Sequence, residues 1–134
     1  MAAFSFIDSV SEVKRNESLT AFFSLKGSEE FLKDHFAGFP VMPGVLLLES
    51  LRQAAAALLA DSSQNGGGFF RLAEVEEVKF GQFVRPGNRL KLFVRLVPSK
   101  NTSLAASFEG RIHLMQGQVE AGKALSAKFS LGRV

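Results

Sequence analysis

Cysteine is missing from this 134-residue chain, which excludes disulfides, thiolate zinc sites and a cysteine nucleophile and leaves the compartment unmarked by redox chemistry. Tryptophan and tyrosine are missing as well. Fourteen phenylalanines supply all the aromatic content, and with 22% charged residues the composition argues against disorder. Histidine occurs twice, so with no thiols there is little to ligate a transition metal. No apolar run approaches the roughly 18 residues needed to cross a bilayer. Met1 to Asp8 lacks the positive segment and apolar stretch of a secretory signal. The expectation is a soluble cytoplasmic protein with no membrane or nucleic-acid partner. What is present is hydrophobic material, 46% of the residues, for a single domain spanning 1–134. A chain of this size removes roughly two thirds of its unfolded surface from water without metal or disulfide staples.

The net charge of +3 is unevenly spread. Residues 1–70 hold five basic and eight acidic side chains, whereas 71–134 hold eleven and five. Between residues 85 and 100 stand Arg85, Arg89, Lys91, Arg95 and Lys100 with no acid among them. Such a stretch suits an anionic partner or a solvated strand face.

Residues 4–27 hold two β-leaning runs ended by Gly27 and predict a hairpin. Ser28 is a candidate N-cap for a short helical turn over 29–33, which must stop before the Pro- and Gly-containing segment 37–44. The long helix signal runs from Gly44 to about Ala60 and is rich in Leu and Ala. Gly66-Gly67-Gly68 follows it as a loop, in the wrong context to cradle a phosphate. Strands are predicted over 69–80, 89–97, 102–115 and 118–132, with turns at Pro86-Gly87-Asn88, Ser99-Lys100-Asn101 and Gln116-Gly117. Strands gathered around one helix predict an α+β domain with a largely antiparallel sheet.

At 100° per residue, Leu47, Leu48, Leu51, Leu58 and Leu59 share an arc of about 120° with Ala54 and Ala55, the face expected to pack on the sheet. Glu49, Arg52 and Gln53 lie opposite. Periodicity alone reads Glu49 as a solvated carboxylate with Arg52 or Gln53 as its i+3 or i+4 neighbour. The residues before it add weight to a second reading. Pro43-Gly44 sets a rigid turn and then a residue with no side chain at a helix start, where free N–H groups and the positive dipole end can hold an anion or a developing oxyanion. With His35 upstream and Glu49 one turn into the helix, the parts of an acid–base site are present.

His35-Phe36-Ala37-Gly38-Phe39-Pro40-Val41-Met42-Pro43-Gly44-Val45, then three leucines, Glu49 and Gln53, resembles the signature of the 3-hydroxyacyl-(acyl carrier protein) dehydratases of type II fatty acid synthesis. That pattern is H-F-P-G-x-P-x-x-P-G-V, three apolar residues, E, three unspecified residues and Q. Residues 79–88, Lys79-Phe80-Gly81-Gln82-Phe83-Val84-Arg85-Pro86-Gly87-Asn88, are similar to the family's later F-x-x-x-V-x-P-G-D. Ala37 departs from the usual Pro, Asn88 from the usual Asp, and Phe39 occupies an often polar position. Glu49 stands where the related dehydratase/isomerase branch carries Asp, which favours dehydration without isomerisation.

The resemblance implies the hotdog fold, a curved antiparallel sheet wrapped around one long central helix. It implies loss of water from a (3R)-3-hydroxyacyl thioester on acyl carrier protein to give the trans-2-enoyl thioester. His35 and Glu49 would be catalytic, and Gly44, Val45 and Gln53 would bind substrate, Gln53 also orienting Glu49. In that scheme His35 takes the α-proton, Glu49, kept protonated by burial, protonates the hydroxyl, and the Gly44 amide stabilises the thioester oxygen. No cofactor is expected. A homodimer with sites shared between chains is implied, and dimers of the family also associate into hexamers. Two other readings stay open on residues alone: an acyl thioesterase on the same fold, and an acyl-binding module without catalysis. His113, in the alternating strand Arg111-Ile112-His113-Leu114-Met115, joins no motif and reads as structural.

Overall fold

Alternation of apolar and polar residues drives most of the described residues into strands, and Leu- and Ala-rich sequence drives the segment after Pro43 into a long helix. A computed structural model describes residues 5–26, 41–62, 70–100 and 105–133. Strands β1 (Ser9–Lys14) and β2 (Ser18–Ser24) form the expected hairpin, followed by helix α1 (Gly44–Ser62) and strands β3 (Phe70–Phe80), β4 (Arg89–Leu96), β5 (Ala105–Gln116) and β6 (Val119–Arg133). A single 3-10 turn, Pro98–Lys100, follows β4. The helical turn expected over 29–33 and the glycine run 66–68 lie outside the described residues.

The strands make one six-stranded sheet in the order β1-β2-β4-β5-β6-β3, with every neighbouring pair antiparallel. Period two places Leu19, Ala21 and Phe23 of β2 on one face with Leu90, Leu92 and Val94 of β4, Phe108, Ile112 and Leu114 of β5, and Leu125, Ala127, Phe129 and Leu131 of β6. Helix α1 fills the hollow of that face with Leu47, Leu51, Ala54, Ala55 and Leu58, all buried. Leu48 and Leu59, expected on the packing face, sit at its margins and are only partly buried. Over 44–60 only Val45 and Ala60 are exposed, so the sheet wraps the helix rather than merely supporting it. This is the hotdog arrangement. No helix among the described residues is long and apolar enough to cross a membrane.

Two ring pairs brace the core, Phe6 edge-on to Phe23 at 5.5 Å and Phe108 stacked on Phe129 at 5.6 Å. Edge strand β3 is irregular, with register shifts between Leu72 and Glu74 and between Glu76 and Lys79. Helix and sheet pack tightly at Gly110 of β5: a Cβ there would lie 2.9 Å from Leu51 Cδ1 and 2.9 Å from Phe129 Cε1. Both neighbours are buried and cannot swing aside. Gly110→Ala should therefore cost about 1–3 kcal/mol of stability through overpacking, measured by chemical denaturation. An unchanged denaturation midpoint would show that the helix can retreat from the sheet at no cost.

Candidate active site

The start of α1 is built by two segments far apart in sequence. Met42 N–H donates to the Val84 carbonyl at 2.8 Å, and the Pro43 carbonyl accepts from Leu46 and Leu47 at 3.0 and 3.2 Å. Pro43 is thus the N-cap, and the amides of Gly44 and Val45, first in the helix, have no partner within it. The Phe80 ring lies across Gly44 so closely that a Cβ on residue 44 would be 2.6 Å from its Cε1. Around this end is an open pocket of about 280 Å³, lined by Met42, Gly44, Leu47, Phe80, Phe83 and Val84. Phe80 and Phe83 are largely exposed. The two sequence blocks that carry the family resemblance therefore meet at one helix terminus. Asn88, standing in for the usual Asp, accepts from the Arg85 N–H through Oδ1 at 2.8 Å, so the turn keeps its side-chain bond.

One turn into the helix, Glu49 is held from two sides. Arg52 donates through Nε to Oε1 at 2.7 Å and through Nη2 to Oε2 at 2.8 Å, and Gln53 Nε2 donates to Oε2 at 3.0 Å. Both partners are anchored in turn: Arg52 Nη1 donates to the Phe70 carbonyl at 2.9 Å, and Gln53 Oε1 accepts from the Phe6 N–H at 2.8 Å. Partial burial pushes the Glu49 carboxyl up, but hydrogen bonds from Arg52 and Gln53 and the charge of Arg52 outweigh it, and the carboxyl rests below its ordinary value. Arg52 is correspondingly raised, chiefly by its hydrogen bond to Glu49. The expectation that burial keeps Glu49 protonated is thus corrected. Its side chain is 34% exposed and a guanidinium fork faces it, so the ionised form wins.

His35 lies outside the described residues, as does the loop from Phe36 to Pro40. Gly44 lines the pocket at the start of α1 and Val45 is exposed beside it, whereas Glu49 and Gln53, bonded to each other further along the helix, are not part of that pocket's lining. His113 sits apart on β5, 3.8 Å from Glu120. The basic stretch is less free than its sequence suggests, because strand pairing brings acids across from it. Lys91 pairs with Glu120 at 3.2 Å, Arg95 pairs with Glu109, and Arg89 covers the Phe22 ring at 4.1 Å. Among the described residues no cluster of three or more metal-binding side chains occurs. Sequence reasoning missed the anchors. The i+3 spacing flagged Arg52, but nothing local points to Phe70 or to Phe6, 47 residues from Gln53.

The model of the ApeI-like family, described as ApeI dehydratase, matches residues 11–119. The 3-hydroxyacyl-(acyl carrier protein) dehydratase FabZ of Lactococcus lactis subsp. cremoris is 32% identical over 130 residues, covering 97% of this chain and 86% of that protein. The chain belongs to the 3-hydroxyacyl-(acyl carrier protein) dehydratase family. The FabZ of Levilactobacillus brevis is 43% identical over 96 residues, 72% of this chain, and the match spans 65% of that relative's length. Among solved structures, the dehydratase heterocomplex ApeI:P from Xenorhabdus doucetiae superposes with a TM-score of 0.71 at 21% identity, covering 98% of this chain and 100% of that one. At that identity the likeness bears on the fold alone.

The depressed carboxyl has a consequence for stability. Ionised Glu49 contributes stability that is fully present above the unfolded value of about 4.3 and is lost as the pH falls through the lower folded value. The difference in denaturation midpoint between the wild type and Glu49→Gln should hold steady from about pH 7 to about pH 5 and shrink below about pH 4. A difference independent of pH would mean that the carboxylate gains nothing from Arg52 and Gln53.

Proposed function

We propose that this chain removes water from a (3R)-3-hydroxyacyl thioester carried on acyl carrier protein, giving the trans-2-enoyl thioester. The observation that carries this reading is a helix whose start at Gly44 opens on the Phe80-walled pocket and whose Glu49 is oriented by Arg52 and Gln53, in a chain of the dehydratase family. Elimination needs one group to take the α-proton, one to protonate the departing hydroxyl, and a donor for the oxygen that gains charge as the enolate develops. His35 and Glu49 are assigned the two proton-handling roles. The amides of Gly44 and Val45 are assigned the thioester oxygen, aided by the positive end of the helix dipole. Gln53 fixes Glu49 and reaches the N-terminal segment through Phe6. Since Glu49 rests as a carboxylate, any proton it gives to the hydroxyl arrives within the catalytic cycle.

A pocket of about 280 Å³ is at the small end for a site that must hold a pantetheine arm and an acyl chain. That supports a site completed by a second copy, with His35 of one chain working beside Glu49 of the other. On β4 it is Arg89, set over the Phe22 ring rather than against an acid, that offers a modest positive field for an acidic carrier protein. A cytoplasmic location belongs to the same reading.

Incubation with a 3-hydroxyacyl carrier protein should lower its intact mass by one water and leave the thioester in place, and the enoyl form should be hydrated in reverse. Release of free thiol at a comparable rate would mean a thioesterase. His35→Ala or Glu49→Gln should each slow turnover by roughly 10²-fold or more. Sharing of sites is tested by refolding the two variants together. If the site is shared, a mixed dimer has one site with both lesions and one with neither, so random assortment should restore about a quarter of wild-type activity. A mixture that stays inactive would confine each site to one chain.

A further inference from the structure

Arg52 occupies one of the three positions that the family pattern leaves unspecified between Glu49 and Gln53. Its side chain is 22% exposed and makes three hydrogen bonds, two to the carboxylate and one to the first residue of β3. A carboxylate offers about four lone-pair sites. Among the described residues, Oε2 of Glu49 is filled by Arg52 Nη2 and Gln53 Nε2, and Oε1 receives Arg52 Nε alone. One acceptor site remains, and it is on Oε1.

We propose that Arg52 is a positioning residue for the acid–base site, gripping Glu49 along one edge of its carboxylate so that Oε1 is the oxygen through which Glu49 exchanges a proton with substrate. The inference rests on the functional reading above and deepens it. The fork fixes rotation about the last side-chain bond of Glu49, because turning the carboxylate would break two parallel charge-assisted bonds together. The Phe70 carbonyl fixes Arg52 in turn, so the orientation of the reactive oxygen is tied to the edge strand and not to the helix alone. Lysine could supply the charge at position 52 but not the planar fork. Among the described residues Arg52 is the charged group that bears on Glu49. From the other elements the network receives a backbone carbonyl, Phe70 on β3 through Arg52, and a backbone amide, Phe6 of the N-terminal segment through Gln53.

Three measurements on Arg52→Gln and Arg52→Lys test this. In the wild type, the limb of the pH–rate profile that disappears in Glu49→Gln should lie below the ordinary carboxylate range, and the Glu49 carboxyl carbon should titrate there by NMR. Arg52→Gln should move both upward and lower kcat about tenfold or more with little change in KM, since a misdirected reacting group costs turnover rather than binding. Arg52→Lys should return the limb most of the way to its wild-type position while kcat stays low, which separates charge from geometry. An unmoved limb, or a kcat equal to or above wild type in Arg52→Gln, would overturn the proposal. If the wild type does not dehydrate at all, the functional reading fails and the catalytic half of this inference with it. The carboxyl titration, which needs no turnover, then decides whether Arg52 grips Glu49.

Discussion

A sheet can close over a helix only where the strand layer leaves room for the helix's side chains, and Gly110 is one place in this fold where it does. The missing side chain admits Leu51 into the strand layer, and Leu47, Ala54, Ala55 and Leu58 follow it into the hollow. The depth of α1 then fixes everything attached to it. Its first turn, with the Pro43 cap and the Gly44 amide, meets the end of β3 at Phe80. Its second turn sets Glu49 at the margin of the sheet, neither in the core nor in open water.

That half-buried setting is the electrostatic problem of the molecule. Taking a carboxylate partly out of water is unfavourable unless its oxygens are bonded and its charge is faced. The answer is assembled from three parts of the chain: Arg52 and Gln53 from the helix, the Phe70 carbonyl from β3 and the Phe6 amide from the N-terminal segment. Each partner of Glu49 is itself held. Among the described residues no buried side-chain nitrogen or oxygen is left without a hydrogen bond. The same bonds that make Glu49 tolerable in the fold also orient it.

Much of the architecture was legible because it rests on short-range periodicity. The β4 alternation of Leu90, Leu92 and Val94 against Arg89, Lys91, Phe93 and Arg95 marks a strand with one buried face, and the observed strand ends within one residue of the expected end. The turn at Gln116-Gly117 was legible for the same reason, since Gln116 and Val119 pair across it. The candidate site was legible only as spacing. Fourteen residues from His35 to Glu49 and four more to Gln53 carry the resemblance, but not the charge state of Glu49. That state depends on Arg52 turning toward the carboxylate beside Gln53, and the Phe70 carbonyl, 18 residues away, holds the other arm of Arg52 in place. The basic stretch misled in the opposite direction: read along the chain it is free of acids, but antiparallel pairing sets Glu109 and Glu120 beside it.

An interior whose aromatic residues are all phenylalanine bears on how such a chain can change over evolutionary time. Phe6 against Phe23 and Phe108 against Phe129 are held by shape and ring electrostatics, with no hydroxyl or indole N–H that must stay bonded. A drift from Phe to Leu, Met or Ile alters volume but strands no donor, and where volume is conserved such swaps cost less than about 1.5 kcal/mol. The interior can therefore be re-contoured around longer or shorter apolar guests in small, survivable steps. Arg52 and Gln53, the side chains that orient Glu49, stand with it on the first three turns of one helix.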